Sequence, residues 1–238
     1  MIIGINGKMG SGKDTVGSII QYLTDENVKG MSFEDWYASN VYSVYQATGK
    51  WEIKKFAGKL KQIASLLTGI PVEQFEDQEF KKLEMPECWN KMQQSGRNRV
   101  MLPMTYRQFL QELGTEAMRD GLHTNTWVNA LFADYHLTPD KNANELFTEE
   151  FLTGSSTVRY ELPNWIITDM RFENELEAIV KHKGIAIRVV RPGRTLTGTH
   201  PSEIALDGFI MHYEIINDGT IEDLIEKVRE ILIKENII

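Results

Sequence analysis

The chain has 238 residues, of which 42% are hydrophobic and 25% are charged, and its formal net charge is −8. A chain of this size can bury the core of a globular protein, whereas a pI near 5.3 and the lack of long Lys or Arg runs argue against binding to nucleic acid or to a membrane surface. The single cysteine, Cys88, rules out an intramolecular disulfide, and no apolar run approaches the length of a membrane span, so we expect a protein of the reducing cytoplasm.

The first third of the chain predicts strands that alternate with helices. The apolar run "IIGI" is typical of a buried parallel strand, and a glycine-rich loop follows it. The predicted elements are a strand at 2–5, a helix from near Asp14 to about Tyr22, a strand at 51–56 and a helix at 59–69. Residues 27–50 show no strong period.

The middle third is mostly polar. Residues 72–104 predict only short helical pieces. Thr105 and Gln108 have the spacing of a helix capping box, so a helix is predicted at 105–119, and a second one at 124–137. The predicted apolar face of the first helix consists of Tyr106, Phe109, Leu110, Leu113 and Ala117. Residues 138–163 are loop-like, with a hairpin predicted near "STVRYEL".

The last third again alternates strands and helices. The predicted elements are a strand at 164–169, a helix at 171–184, a strand at 185–193, a strand at 213–217 and an amphipathic helix opened by Thr220 with Asp223 as its cap partner. A polar excursion occupies 193–211. Strands that alternate with helices predict an α/β fold with a parallel sheet covered on both faces. No repeat and no Gly/Ser linker divides the sequence, so a single domain is predicted.

The stretch "GKMGSGK", from Gly7 to Lys13, has the Gly-x-x-x-x-Gly-Lys spacing of a phosphate-binding loop. The N–H groups of such a loop point inward, and the helix N-terminus behind it adds a positive field. Lys13 would bridge the β- and γ-phosphates of a triphosphate. The other residues that would surround the phosphates are Gly7, Lys8, Met9, Gly10, Ser11 and Gly12. The alternative is a glycine-rich turn that only joins the strand to the helix.

Asp14 stands where such loops usually carry the Ser or Thr that holds magnesium. A carboxylate beside a triphosphate is repelled unless a cation lies between them, directly or through a water, although an acid in the first helical turn is otherwise favourable. Thr15 could alternatively supply the hydroxyl. Loops of the adenylate-kinase type tolerate another residue here followed by Thr, so the sequence favours a small-molecule kinase over a GTPase or a motor ATPase.

The stretch "ITDMRFENE" ends a predicted strand at Asp169, with Arg171 two residues and Glu175 six residues further on. Ligands of open α/β sheets bind at the carboxyl ends of the strands, so Asp169 would face the same crevice as Lys13. There it would orient a magnesium ion through water or accept a hydrogen bond from the molecule that receives the phosphoryl group. Arg171 would neutralise negative charge on the phosphoryl group during its transfer. The alternative, equally compatible with the spacing, is that Asp169 caps the next helix and Arg171 pairs with Glu175 on its surface.

Three polar residues of the predicted 105–119 helix, Arg107, Gln111 and Thr115, lie one turn apart opposite its apolar face. Arginine binds phosphate bidentately, and a glutamine amide can read a base edge. The alternative is an ordinary solvated face of the helix.

Two arginines, Arg191 and Arg194, follow another strand end, where they could clamp a nucleotide phosphate or stack on adenine. His200 lacks partners with metal-site spacing, so it is interpreted as a hydrogen-bonding residue of a lid and not as a zinc ligand. The turn at 216–220 could present its backbone to a purine ring. An ordinary turn is the alternative.

Seven motifs together resemble the bacteriophage deoxynucleoside monophosphate kinases, which accept a deoxynucleoside monophosphate (dNMP). They are "GKMGSGKDT", "FAGKLKQ", "RQFLQELGTEAMR", "ITDMRFENELEAI", "RVVRPG", "THPSE" and "INDGTIEDL". Their order is that of the family, and "SGKDT" is itself a family trait. The resemblance covers most of the chain except 27–50, parts of 72–104 and 138–163. More distantly, the chain is similar to dephospho-coenzyme A kinase.

The resemblance implies a P-loop NTPase three-layer fold with a central, mainly parallel five-stranded sheet. Within one domain it implies a core at about 1–26, 51–70, 164–192 and 212–238, a helical acceptor-binding insertion at about 71–163 and a short lid at about 191–211. The implied reaction is transfer of the γ-phosphoryl group of ATP to a dNMP, with Mg²⁺.

The resemblance also implies roles for single residues. The implied catalytic residues are Lys13, Asp169 and Arg171. The implied acceptor-binding residues are Lys61, Arg107, Gln111, Thr115, Arg119, Asp169, Arg171 and Glu175. The implied ATP-binding residues are those from Gly7 to Thr15 with Arg191, Arg194, Asn217, Asp218 and Gly219. The implied magnesium site consists of Asp14, Thr15 and Asp169, with contact through water allowed.

The expected partners are therefore ATP and a dNMP, with no nucleic acid and no membrane, and a homodimer is left open. Two other functions stay open on the sequence. One is a kinase of dephospho-coenzyme A or of another small metabolite, and the other is a regulatory module that binds ATP without chemistry. The family varies at its base-reading positions, so no particular base is implied.

Overall fold

The computed structural model describes residues 1–28, 30–42, 50–95, 98–139, 160–193 and 204–238. The described residues form two compact units. One consists of Met1–Lys55 with Ala133–Ile238, and the other of Phe56–Phe132. They are called the sheet unit and the helical unit below.

The strands are β1 (Ile2–Asn6), β2 (Trp51–Lys54), β3 (Lys91–Ser95), β4 (Asn98–Leu102), β5 (Thr138–Pro139), β6 (Tyr160–Glu161), β7 (Asn164–Met170), β8 (Ile185–Val190) and β9 (Tyr213–Ile216). The helices are α1 (Lys13–Thr24), α2 (Phe33–Tyr42), α3 (Phe56–Thr68), α4 (Tyr106–Gln111), α5 (Thr126–Phe132), α6 (Glu173–Lys181) and α7 (Ile221–Lys234). A π-helix, Glu112–Asp120, continues α4, and short 3₁₀ turns occur at Val72–Phe75, Phe80–Lys82 and Glu87–Trp89.

The sheet unit is built on five parallel strands in the order β2-β7-β1-β8-β9. The strand β1 lies in the middle, with Ile3 opposite Ile166 of β7 and Ile185 of β8. Parallel strands need crossover connections that return over a face of the sheet, which is why they occur with helices on both sides. The predicted α/β fold with a parallel five-stranded sheet is confirmed.

Side-chain alternation along β1 divides the core into two layers. Ile3 and Ile5 point into a fully buried cluster with residues of α1, α2 and α7, among them Ile20 and Leu232. Gly4 points to the other face, where a Cβ atom would lie 2.5 Å from Cδ1 of Ile179 in α6. The sheet unit therefore has three layers, with α1, α2 and α7 on one side and α6 on the other.

The helical unit has its own core. Ala64, Phe75 and Tyr106 are buried in one cluster, and the rings of Phe80 and Tyr106 stack with their centroids 4.4 Å apart. The capping box predicted at Thr105 is present, because its hydroxyl accepts the N–H of Gln108 and the Gln108 side chain accepts the N–H of Thr105. In the sheet unit the predicted cap of α7 by Thr220 and Asp223 is confirmed as well.

Several local predictions were wrong. The aperiodic stretch 27–50 contains α2, whose Phe33 and Trp36 are buried aromatics without a regular amphipathic pattern, and 72–104 contains the antiparallel pair β3–β4. The helix predicted at 124–137 is confined to Thr126–Phe132. Ala117, assigned to an apolar face, is exposed because the chain has changed to a π-helix.

Some predictions lie outside the described residues. They include residues 194–203 of the predicted lid, with Arg194 and His200, and most of the hairpin near "STVRYEL", of which Tyr160 pairs with Pro139. The division of one domain into core, insertion and lid stays a prediction, and α3 belongs to the helical unit. Within the described residues, no helix combines the length and the apolar character that crossing a bilayer requires.

The packing of α7 on the sheet can be tested with two adjacent residues. Leu232 is fully buried, whereas Ile233 is 56% exposed. Leu232→Ala should lower the free energy of unfolding by about 2–5 kcal/mol because it leaves a cavity, and Ile233→Ala should change it by no more than about 0.5 kcal/mol. Urea unfolding followed by circular dichroism measures both. Equal losses in the two variants would contradict the assigned face of α7.

Candidate active site

The loop between β1 and α1 has the backbone that a phosphate site needs. Gly10 has φ 74° and Gly12 has φ 98°, a left-handed conformation that side chains disfavour. Gly12 is the N-cap of α1, and its carbonyl accepts the N–H of Val16 as the first helical bond. The free N–H groups of the first helical turn therefore point out of the end of α1, where they attract an anion.

Asn217 holds this loop from the neighbouring end of β9. Its side-chain Nδ2 donates to the Ser11 carbonyl at 2.8 Å, and its backbone N–H donates to the Val190 carbonyl at 2.7 Å. A Cβ atom on Gly12 would lie 2.5 Å from the same Nδ2. The turn at 216–220, which was predicted to contact a purine ring, thus supports the phosphate loop. Its contact with adenine stays a prediction.

The other two residues of that turn have structural contacts. Asp218 pairs with Lys227 at 2.9 Å, and this hydrogen bond and charge hold the pKa of Asp218 below its ordinary value. Gly219 lies against the capping carboxylate of Asp223, where a Cβ atom would be 2.3 Å from Oδ2. The turn is therefore a compact helix entry whose glycine leaves room for the cap.

Asp14 is surrounded by cationic and hydroxyl groups. Its Oδ2 lies 3.7 Å from Nζ of Lys13, and its Oδ1 lies 3.6 Å from Nζ of Lys55. The hydroxyl of Thr168, a fully buried residue of β7, donates to Oδ1 at 2.9 Å. Both oxygens of the unusual carboxylate thus have partners within the protein, and Thr15 beside it is half-buried.

The end of β7 is irregular at the residue predicted to act in catalysis. Gly4 pairs with Ile167 but Asn6 pairs with Met170, so β7 carries one extra residue over this stretch, around Asp169. Such bulges redirect a side chain and are common beside active sites. Nδ2 of Asn6 donates to the Met170 carbonyl at 2.9 Å and fastens the irregular stretch to β1.

The turn after β7 is organised by Glu175. Its buried carboxylate accepts the backbone N–H groups of Arg171 at 2.7 Å and of Phe172 at 3.1 Å. The helix α6 begins at Glu173 with Phe172 as its N-cap, so Asp169 does not cap it. One alternative for Asp169 is thereby removed, and Glu175 is seen to fix the backbone that carries Arg171. Binding of substrate by Glu175 stays a prediction.

A cavity of about 320 Å³ opens beside the loop. Its wall includes Gly7, Lys8, Met9, Ser11, Arg188 and Arg191. Among the described residues, the buried hydroxyl of Ser11 finds no hydrogen-bond partner. Four of the predicted ATP-binding residues of the loop, Gly7, Lys8, Met9 and Ser11, therefore share one cavity with Arg191.

The described part of the predicted lid is attached to this wall. Nη2 of Arg188 donates to the carbonyls of Leu206 at 2.5 Å and Phe209 at 3.0 Å, and Nζ of Lys8 pairs with Asp207 at 3.2 Å. These bonds tie the segment after the undescribed residues 194–203 to β8 and to the loop.

Five of the eight predicted acceptor residues, Lys61, Arg107, Gln111, Thr115 and Arg119, belong to the helical unit, whereas Asp169, Arg171 and Glu175 belong to the sheet unit. Nζ of Lys61, on α3, pairs with Glu76 at 2.5 Å, and both Lys61 and Arg119 are buried. Arg107, on α4, donates from Nη2 to Gln78 at 3.0 Å. Gln111 is exposed and Thr115 half-buried. The unit thus carries buried and half-buried cationic groups, which is expensive unless anions or hydrogen bonds compensate them.

The predicted acceptor residues Arg107, Gln111, Thr115 and Arg119 do not lie along one regular α-helix. The helix becomes a π-helix at Glu112, and its end is closed by i→i+5 bonds from Gly121 to Glu116 and from His123 to Met118. Trp127 fixes this segment, since its Nε1 donates to the Gly114 carbonyl at 2.7 Å. π-helical segments are rare and occur frequently at functional sites.

Sequence reasoning missed four residues of the sheet unit that contact the site: Asn6, Lys55, Thr168 and Arg188. Asn6 ends β1 and Lys55 directly follows β2, whereas Thr168 and Arg188 each lie two residues before the end of their strands, β7 and β8. The carboxyl-end rule could have indicated all four, because it applies to every strand of the sheet and not only to those followed by a motif.

The loop fits a nucleotide phosphate chain and, with it, magnesium. Within the described parts of the chain, no group of three or more His, Cys, Asp or Glu residues could hold a metal ion alone. Magnesium is commonly bound by one or two carboxylates together with substrate phosphates. Asp14 and Asp169 could supply those carboxylates only together with the phosphates of a bound nucleotide.

Comparisons with known proteins agree with this geometry. The family model for deoxynucleotide monophosphate kinases matches residues 52–228. A protein of Acanthamoeba polyphaga mimivirus, provisionally named a deoxynucleotide monophosphate kinase, is 27% identical over 232 residues, 96% of this chain and 94% of that protein. The deoxynucleotide monophosphate kinase of Enterobacteria phage T4 is 28% identical over 138 residues, 57% of this chain and 48% of the phage protein. Because the family model matches well over half of its length, the chain belongs to the deoxynucleotide monophosphate kinase family.

Proposed function

We propose that the protein transfers the γ-phosphoryl group of ATP to a deoxynucleoside 5′-monophosphate, giving the diphosphate and ADP, in the cytoplasm and with Mg²⁺. The loop that ends in Lys13 carries this proposal, since Gly10 and Gly12 have the left-handed backbone of a phosphate cradle at the N-terminus of α1. The family match begins at residue 52, after the loop. Loop geometry and family membership are therefore separate supports.

The proposed donor site uses charges that the sheet unit already holds in place. Lys13 is only 12% exposed at its side chain, which limits the positions of its ammonium group. It would contact the phosphates that the N–H groups of α1 hold. Arg171 would neutralise the phosphoryl group in transit from a backbone that Glu175 keeps rigid.

The reaction needs no covalent intermediate between the substrate and the protein. A phosphate oxygen of the acceptor is already a nucleophile, so no strong general base is needed, and catalysis consists of positioning and charge stabilisation. Asp14 and Asp169 would hold magnesium together with the nucleotide phosphates, and the ion would supply positive charge that offsets theirs. Asp169, on the bulged end of β7, would orient the magnesium through water or the acceptor directly.

Five residues of the proposed acceptor site belong to the helical unit. Lys61 and Arg119 are buried cations, and Arg107 is half-buried on the same helix as Gln111. Arginine can hold a phosphate with two parallel hydrogen bonds, and the amide of Gln111 can bond a base edge. Thr115, one turn further along, would add a hydroxyl.

Three predictions test these assignments, and the first is the choice of acceptor. With ATP and Mg²⁺, the purified protein should release ADP with at least one of the four dNMPs and show much lower release with dephospho-coenzyme A. Coupled ADP release across this panel measures the preference. A response to dephospho-coenzyme A alone would refute the proposed acceptor, and ATP binding without ADP release on any acceptor would instead indicate a regulatory module.

The second prediction concerns the donor site. Lys13→Ala should lower kcat/KM for ATP on the order of 10²- to 10³-fold, because it removes a charge that contacts the transferring group. Lys50→Ala is the matched control, since Lys50 forms an exposed pair with Glu26. Thermal unfolding should be similar for both variants. Near-normal turnover in Lys13→Ala would refute the donor site.

The third prediction separates acceptor binding from chemistry. Arg107→Ala should raise KM for the dNMP by about 10-fold or more and change kcat less. This is expected when a residue binds the substrate equally strongly in the ground state and in the transition state. Arg99→Ala, an exposed arginine in β4 of the same unit, should leave both constants unchanged. An unchanged KM in Arg107→Ala would remove this residue from the acceptor site.

A further inference from the structure

The carboxylate of Asp14 creates a charge problem within the phosphate loop. In most such loops the residue after the lysine is Ser or Thr, so no neighbouring carboxylate offsets the positive charge that the lysine presents to the phosphates. Here Asp14 lies 3.7 Å from Lys13. The side chains of the two residues together carry no net charge, which is unfavourable for holding a triphosphate.

Lys55 restores the missing positive charge. It directly follows β2, whose last residue, Lys54, lies opposite Ile167 of β7. The Lys55 ammonium group therefore stands at the same edge of the sheet as the loop, with Nζ 3.6 Å from Oδ1 of Asp14. With Lys55 included, the side-chain charge at this helix N-terminus is again that of an ordinary phosphate loop.

Stability is a poor explanation for this arrangement. The side chain of Asp14 is 62% exposed and that of Lys55 is 34% exposed. Ion pairs with so much access to water contribute little to folding. In contrast, the hydroxyl of Thr168 is fully buried and directed at Asp14, so the carboxylate is held at a defined position between the two ammonium groups.

We propose that Lys55 is a second phosphate-binding cation of the donor site and that Asp14 is a positioning residue, which holds Lys55 and Lys13 on either side of the bound phosphates. The inference rests on the proposed function and adds a residue to it. Because Asp14 and Lys55 compensate each other, the need for Lys55 should depend on the presence of the carboxylate.

A double-mutant cycle tests this dependence. The variants are Lys55→Met, Asp14→Ser, which restores the usual loop residue, and the combination of both. The readouts are kcat/KM for ATP with a dNMP acceptor and the Kd for ATP measured without acceptor, so that a slow variant still reports coupling. Lys54→Met is the matched control, because Lys54 is 33% exposed, pairs with Glu52 and lies over the Trp165 ring.

Lys55→Met should lower kcat/KM on the order of 10- to 100-fold and weaken ATP binding. In the Asp14→Ser background the same substitution should cost less than about threefold, since the remaining lysine is no longer neutralised. Lys54→Met should behave like the unmodified protein, and Lys55→Arg should recover most of the activity because it keeps the charge.

Two results would overturn the inference. One is a Lys55→Met variant within about threefold of the unmodified protein in both readouts, and the other is an equal loss from Lys55→Met in both backgrounds. Failure of the proposed function looks different, because the unmodified protein would then phosphorylate no dNMP. The coupling in Kd for ATP would still report on Lys55 in that case.

Discussion

The left-handed backbone at Gly12 is the constraint on which the rest of the site depends. It turns the chain from the end of β1 into α1 within a few residues, so that the unpaired N–H groups of the helix face the loop. A Cβ atom there would lie 2.5 Å from Nδ2 of Asn217 and would displace the side chain that bonds the Ser11 carbonyl. The loop is therefore held from two sides, by its own glycines and by the turn after β9, and the ion pairs around Asp14 are built on that fixed base.

The carboxyl ends of the parallel strands explain why the site residues come from distant parts of the sequence. Asn6, Lys55, Thr168 and Asn217 belong to or follow four different strands, yet all contact the loop, the residue after it or the bulge beside it. In a parallel sheet the carboxyl ends of all strands lie at the same edge, so the strand arrangement brings these four residues close together. The bulge in β7 adds a local change of direction that a regular strand would not provide.

The sequence predicted the sheet, the loop and most helices because their signals are local. Apolar strands, the glycine spacing and the capping residues Thr105 and Thr220 each act within a few positions. It failed where the signal depends on tertiary packing. The helix α2 buries Phe33 and Trp36 without a regular pattern, the π-helix after Gln111 changes the period of a helix already begun, and the partners of Asp14 lie 41 and 154 positions away, a separation that no spacing rule covers.

Asp14 shows why a departure from a motif is best interpreted together with its neighbours in space. Considered along the chain, the acid opposes the phosphates that Lys13 attracts. Considered in the sheet unit, it lies between two ammonium groups and accepts a hydrogen bond from a buried hydroxyl. A serine there would offer magnesium one oxygen and would remove the ion pair between Asp14 and Lys55. The carboxylate instead fixes two flexible cations at the N-terminus of α1, and since electrostatic catalysis works best when the charges are already in place, this fixed arrangement suits a reaction that consists largely of neutralising phosphate charge.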